Sequence, residues 1–194
     1  NNSIPFQSYP YIFTMPIAWN DLKHMYHHIT FNPTQITIII RDISQALQHI
    51  HSRGICHSHL TLSNIVKIGE RYCLIDLTSA ANLEIFYIQD AEIIGSGSHF
   101  SSGYIPPEMF IPITYQNEQQ IINYWKGSEL YEILKTKVLP HHSRDLCYCV
   151  RSYDIDKNTL QPRDLHLLPY RPVLASAQID MWSVGLILYS LCSG

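Results

Sequence analysis

Residues 32–75 constrain the fold more than any other part of this 194-residue chain. Asn32 and Pro33 form a helix-start signal, and large apolar residues then recur at steps of three and four until Gly54. Two β-prone runs follow, residues 65–68 and 71–75, with only two residues between them. This segment predicts a long helix followed by a short hairpin, which favours a mixed α+β fold.

Composition excludes several classes of protein. Hydrophobic residues make up 46% of the chain and charged residues 15%, which argues against intrinsic disorder. The net charge is -3 and no basic stripe is present, so we expect no nucleic-acid partner and no membrane partner. Five cysteines without a Cys-x-x-Cys pair favour free, buried thiols in a reducing compartment, with Cys56, Cys73 and Cys192 in the core. The expected location is therefore the cytoplasm.

The sequence also predicts secondary structure outside residues 32–75. A strand is predicted at residues 11–15, a helix at 119–137, and an edge strand at 147–150, where apolar and polar residues alternate. Residues 95–107 are rich in Gly, Ser and Pro and predict a loop. Residues 179–191 are apolar on all sides of a helix, the pattern of a helix buried on every side. In a chain of this length such a helix needs partners, and we expect much of its packing to be missing here. The sequence lacks an initiator Met and stops where this helix closes, so we expect a fragment of a longer protein.

The residues between the first helix and the hairpin carry the chemistry. Residues 56–64 have the sequence CHSHLTLSN, and Asp76 follows the second strand. This pattern resembles the catalytic loop of the eukaryotic protein kinases, His-Arg-Asp-Leu-x-x-x-Asn, which is followed by a hairpin and Asp-Phe-Gly. The matching positions are His57, Leu60, Asn64 and Asp76.

Two later motifs follow in the order of that family. The motif ending in Glu108 is similar to the Ala-Pro-Glu that closes the kinase activation segment. The motif that contains Asp180 and Trp182 is similar to the start of the buried central helix of the large lobe. The resemblance implies a protein-kinase-like fold, with a mainly α-helical large lobe and a short β-hairpin at the catalytic loop.

The resemblance implies one partial kinase-like domain over residues 1–194. Residues 1–16 correspond to the last small-lobe strand and the hinge, 17–109 to the large lobe through the activation segment, and 171–194 to the start of the central helix. Residues 110–170 are an insertion of unusual length, because Glu108 and Asp180 are 72 positions apart (180 minus 108). This insertion is expected to be a loop elaboration, with an interaction module as the alternative.

Three charged positions of the catalytic loop are changed. By the resemblance, His59 stands at the catalytic Asp position, Ser58 at the Arg position and Thr61 at the Lys position. Phosphoryl transfer depends on positioning and electrostatic stabilisation, so these losses predict an inactive or very weak enzyme. An imidazole is a competent general base at neutral pH. An active Ser/Thr or dual-specificity kinase, using His59 or a displaced carboxylate, is therefore the alternative.

The resemblance also implies cofactors and further site residues. Asn64 and Asp76 would hold Mg²⁺, and Met15 and Val66 would contact the adenine of ATP; no other cofactor is expected. Thr78 replaces the Gly of Asp-Phe-Gly, which weakens the expectation of nucleotide binding. Structural roles are implied for His57 stacked on Leu77, for Asp180 bound to the His57 backbone, and for Glu108 and Trp182. Ser101 and Tyr104 are the candidate regulatory phosphorylation sites.

These features predict a pseudokinase that acts as a scaffold or allosteric partner of another protein and keeps residual ATP and Mg²⁺ binding. A third hypothesis, from a different class, starts from the eleven histidines of the chain. His57 and His59 lie close in sequence to His49 and His51, and together they predict a histidine-rich metal site. Zinc and iron sites need three or four convergent ligands, which sequence alone does not establish.

Overall fold

A computed structural model describes residues 14–83, 95–96, 103–126, 141–143, 146–151, 167–171 and 173–193. Within these ranges the protein contains both helices and short antiparallel strands, which confirms the α+β expectation. The helices are α1 (Leu22–His28), α2 (Pro33–His51), α3 (Tyr115–Trp125) and α4 (Ala177–Ser193). The strands are β1 (Ile55–Cys56), β2 (Ile65–Ile68), β3 (Arg71–Leu74), β4 (Ala81–Asn82), β5 (Gly95–Ser96), β6 (Phe110–Pro112), β7 (His141–Ser143), β8 (Leu146–Val150) and β9 (Val173–Leu174).

Helix α2 forms where the sequence predicts it. Asn32 and Gln35 make a capping box, in which each backbone N–H donates to the other side chain at 2.9 Å. The helix ends at His51, and Gly54 then takes a positive φ of 72°, a conformation that glycine adopts without strain. One face of α2 is buried against the rest of the core, through Ile39, Ile43 and Leu47.

The predicted hairpin is also confirmed. Strands β2 and β3 pair antiparallel from Ile65 opposite Leu74 to Ile68 opposite Arg71. The two-residue turn is tight because Gly69 takes a positive φ of 58°. The hairpin, α2, α4 and the loop before the hairpin share one core, made of Leu22, Phe31, Ile39, Ile43, Leu47, Leu60, Leu62, Ile65, Tyr72, Val184, Ile187 and Leu191.

A buried carboxylate joins the hairpin to α2. Asp42 is buried in α2 and accepts a hydrogen bond from the backbone N–H of Tyr72 at 3.0 Å and an ion pair from Arg41 at 2.9 Å. Burial alone would raise the pKa of Asp42, but the Tyr72 N–H and the Arg41 guanidinium hold it below its ordinary value. The charged carboxylate is therefore a stabilising tie between β3 and α2.

The described residues between 110 and 170 form regular structure. Strands β6, β8 and β7 form a three-stranded antiparallel sheet in that order. Helix α3 contributes Ile121 and Trp125 to a small core that also contains Cys149 and Tyr170. The described part of this segment therefore has a sheet, a helix and buried side chains of its own.

Two predictions in this segment were wrong in detail. Strand β8 is the central strand and not an edge, because it pairs with both β6 and β7. Sequence alternation reports which face of a strand is buried and not how many neighbours the strand has. Helix α3 begins at Tyr115 and ends at Trp125, because Lys126 is already extended. Residues 127–137 of the predicted helix lie outside the described residues.

In the described residues, one side of α4 is buried and the other is exposed. Ile179, Val184, Ile187 and Leu191 are buried, but the opposite side exposes apolar residues, among them Met181 at 53% and Tyr189 at 71% exposure. An apolar pattern indicates which residues can be buried, and the packing partners decide which are. Across the described ranges, every helix falls short of the length or the apolar content that crossing a bilayer requires.

Three other predictions concern the first strand, the cysteines and the loop at residues 95–107. Residues 11–13 of the predicted first strand lie outside the described residues, and Thr14 and Met15 belong to no strand. Cys56, Cys73 and Cys192 are free thiols, as predicted, but Cys192 is exposed and not buried in the core. The loop prediction for residues 95–107 was wrong at Gly95 and Ser96, which form strand β5 and pair with β9.

Candidate functional site

Asp180 organises the loop that precedes the hairpin. It lies in the first turn of α4 and its side chain is fully buried. One carboxylate oxygen accepts from the His57 backbone N–H at 2.8 Å, and the other accepts from the Ser58 N–H at 2.9 Å. The resemblance implied the contact between Asp180 and His57, and this contact is present. A single buried carboxylate thus fixes two successive peptide groups of the loop.

Two further side chains converge on the same carboxylate. The Nε2 atom of His51, at the end of α2, lies 2.8 Å from Asp180 Oδ2. The Cys56 thiol donates to Asp180 at 3.4 Å and to the Ser176 carbonyl at 3.2 Å. Burial, reinforced by the Asp180 charge, raises the pKa of Cys56 to about 12. Cys56 therefore stays a protonated donor at neutral pH and is no nucleophile.

His57 is a structural residue by its position. It is fully buried, and its Nε2 atom lies 3.1 Å from the Ile75 carbonyl oxygen. Its Nδ1 atom accepts a longer hydrogen bond, 3.4 Å, from the His59 backbone N–H. These partners assign the proton to Nε2, which donates to Ile75, in a neutral ring. His57 therefore joins the loop to the end of the hairpin.

Asn64 closes the loop from the other end. Its side-chain amide donates to the His59 backbone carbonyl at 2.8 Å, and its backbone carbonyl accepts from the Ile75 N–H at 3.0 Å. Its backbone N–H donates to the carbonyl of Thr61, a buried residue that precedes the 3₁₀ turn Leu62–Asn64. The backbone of His59 is thus held at its N–H by His57 and at its carbonyl by Asn64.

Asp76 lies directly after the hairpin in an unusual conformation. Its φ is 64°, and Ser58 in the loop has a φ of 63°, both in the left-handed region that non-glycine residues rarely adopt. The hydroxyl of Thr78 donates to Asp76 Oδ1 at 2.6 Å. That hydrogen bond, together with the nearby His59 ring, lowers the pKa of Asp76 below its ordinary value. Asp76 therefore carries a full negative charge at neutral pH.

The chemistry of Asn64 and Asp76 fits Mg²⁺ better than a transition metal. Mg²⁺ prefers oxygen ligands and commonly uses one or two carboxylates together with substrate phosphates. Within the described residues, no group of three or more His, Cys, Asp or Glu side chains is arranged to hold a metal ion. In that part of the chain, the histidine-rich metal hypothesis finds no site.

The other candidate residues have varied environments. Val66 is buried, Met15 is 85% exposed, and Leu77 is 52% exposed. Leu77 lines a cavity of about 400 Å³ between α2 and β3. Glu108 is exposed in a short 3₁₀ turn, Trp182 is partly exposed, and Tyr104 is half-buried against the main core. Ser101 lies outside the described residues.

Sequence reasoning missed the part that His51 and Cys56 play around Asp180. His51 entered the sequence analysis as a metal candidate, yet its ring is a partner of a carboxylate 129 positions away. No local spacing signals such a pairing. A histidine in the last turn of α2, just before the loop, was the available hint.

Comparison with known proteins assigns the chain to no family. No protein-family model matches the chain, and no curated protein matches it significantly.

Proposed function

We propose that the chain belongs to a protein-kinase-like domain that acts as a pseudokinase, a scaffold or allosteric partner of another protein with residual binding of ATP and Mg²⁺. The observation that carries the proposal is the contrast within residues 56–64. The groups that fix the shape of this loop are buried and hydrogen-bonded. By contrast, His59 occupies the position at which kinases have the catalytic aspartate that orients the substrate hydroxyl.

The backbone at position 59 is held on both sides. The His59 N–H donates to the His57 ring, and the His59 carbonyl accepts from the Asn64 side-chain amide. The loop therefore presents an imidazole where phosphoryl transfer in this family uses a carboxylate. A neutral imidazole brings no negative charge to orient a hydroxyl, and Thr61 brings no cation to the moving phosphoryl group. Loss of groups that act in the transition state costs several powers of ten in rate.

Residual nucleotide binding is supported by Asp76 and Asn64. Asp76 is ionised at neutral pH and lies just beyond the hairpin, whose first strand begins directly after Asn64. A Mg²⁺ ion at these residues would neutralise charge on the phosphates of ATP. The adenine contacts are assigned to Val66 and Met15. This assignment rests on the resemblance alone. In the structure, Val66 is buried and Met15 is 85% exposed.

Calorimetry of MgATP binding to the full-length protein tests the proposal. We expect Mg²⁺-dependent binding that Asp76→Asn weakens by roughly tenfold or more, since it removes a charged ligand. Glu70→Gln is the matched control, because Glu70 is an almost fully exposed carboxylate in the hairpin turn. Equal binding by wild type and Asp76→Asn would contradict the Mg²⁺ assignment. Absence of binding in wild type would reject residual nucleotide binding and leave the scaffold role alone.

A further inference from the structure

A cavity of about 310 Å³ lies between α1, the loop at residues 61–63 and the turn at residues 103–104. Helix α1 contributes Lys23 and His27, the loop contributes Thr61 and Ser63, and the turn contributes Tyr104. None of the residues that line this cavity in the described part of the chain has a carboxylate. The described lining therefore presents hydrogen-bond donors and a positive charge, and contains no opposing negative charge.

The donors come from separate elements and meet in one place. Lys23 and His27 are four residues apart, so they lie on the same face of α1. Ser63 is exposed, and its hydroxyl is within the 3₁₀ turn that ends in Asn64. Burial raises the pKa of Tyr104, although the Leu62 backbone N–H opposes this, so its hydroxyl keeps its proton at neutral pH.

Among the described residues, no carboxylate pairs with the charge of Lys23, which is exposed. Asp21, two positions earlier, is committed to capping α1, where its side chain accepts from the His24 N–H at 2.7 Å. An ammonium group with three donors is thus available at the rim of a pocket that also contains hydroxyl groups.

We propose that this cavity recognises a phosphoryl group carried on a peptide segment of a protein partner. A phosphoryl group has three strong acceptor oxygens and nearly two negative charges, which match a lysine, a histidine and hydroxyl donors. The volume is near the lower end for small-ligand sites, which suits one side chain. The peptide as carrier of the phosphoryl group rests on the proposed function, whereas the anion site rests on the cavity alone.

Fluorescence anisotropy with labelled peptides tests the proposal without nucleotide. The probes are one alanine-rich heptapeptide with a central phosphoserine, the same peptide with serine, and the same peptide with glutamate. Inorganic phosphate is the competitor. We expect the phosphoserine peptide to bind at least about tenfold more tightly than the serine peptide, with the glutamate peptide between them. Binding should weaken as salt rises, because the site is at the surface.

Variants locate the site on the full-length protein. Lys23→Gln should weaken phosphoserine-peptide binding by roughly tenfold, and Ser63→Ala should weaken it less. Lys126→Gln is the matched control, because Lys126 is an exposed lysine at the end of α3 that does not line the cavity. All three positions are exposed, so circular dichroism should be unchanged.

Three results would overturn the proposal. The site is wrong if the three peptides bind equally, or if Lys23→Gln binds as tightly as Lys126→Gln. The peptide carrier is wrong if inorganic phosphate competes at the same concentration as the unlabelled phosphoserine peptide, because free phosphate is then sufficient. Failure of MgATP binding does not affect any of these measurements, so the two proposals fail separately.

Discussion

Replacing Asp180 by alanine removes the acceptor for two backbone N–H groups, those of His57 and Ser58, at 2.8 and 2.9 Å. It also removes the partner of His51 Nε2 at 2.8 Å. Since Asp180 is fully buried, solvent does not replace these contacts without a local opening of the loop. Unpaired buried N–H groups cost about 1–3 kcal/mol each, so the free energy of unfolding should fall by roughly 4 kcal/mol.

Urea denaturation of the full-length protein, followed by circular dichroism, measures this loss. Gln178→Ala is the matched control, because Gln178 is an exposed polar residue in the same helical turn, and it should change the free energy of unfolding by less than about 0.5 kcal/mol. Amide exchange of His57 and Ser58 should accelerate in Asp180→Ala before global unfolding. A loss below about 1 kcal/mol, with unchanged exchange at both amides, would refute the argument that Asp180 holds the loop.

Three further outcomes follow from buried groups. Burial alone would raise the pKa of Asp42, but the Tyr72 backbone N–H and the Arg41 guanidinium hold this pKa below its ordinary value. The contribution of Asp42 to stability is therefore complete above pH ~5 and lost as the pH falls through the lowered pKa, and Asp42→Asn should flatten this pH dependence in urea titrations. Burial raises the pKa of Cys56 to about 12, so iodoacetamide at pH 8 should modify exposed Cys192 in the native protein and spare Cys56, as mass spectrometry can check. On α4, Ile187→Ala should cost about 2–5 kcal/mol by denaturation, while partly exposed Leu188→Ala should cost clearly less; equal losses would contradict the assigned buried face.

The sequence predicted those elements whose signals are local. Helix α2 has its cap, its first-turn proline and its periodic apolar face within residues 32–51, and the β2–β3 hairpin has a two-residue turn. Each is specified by neighbours along the chain, so the residues alone indicate where it begins and ends.

The wrong predictions concern contacts made over long distances. Strand β8 is central because residues 110–112 pair with it from some 40 positions away, and no alternation pattern contains that information. The apolar pattern of α4 indicates no particular buried face, because its apolar residues surround the helix. The ring of His51 reaches Asp180 only because α2 and α4 pack together.

The candidate site was predictable in part. The spacing from His57 to Asp76 marked the loop and hairpin that Asp180, Asn64 and His57 hold together. The left-handed conformations of Ser58 and Asp76 could not be predicted, because neither residue is a glycine and the strain is supported by distant contacts.

Phosphate transfer from γ-labelled ATP to dephosphorylated casein tests the central claim most directly. The full-length wild-type protein is compared with a variant that carries His59→Asp and Thr61→Lys, and Asp76→Asn in each background is the control. The pseudokinase account predicts that wild type transfers no more phosphate than its Asp76→Asn control. It also predicts that the double variant does transfer phosphate and that adding Asp76→Asn to it abolishes this transfer. Transfer by wild type that Asp76→Asn abolishes would contradict the account, because His59 would then support catalysis.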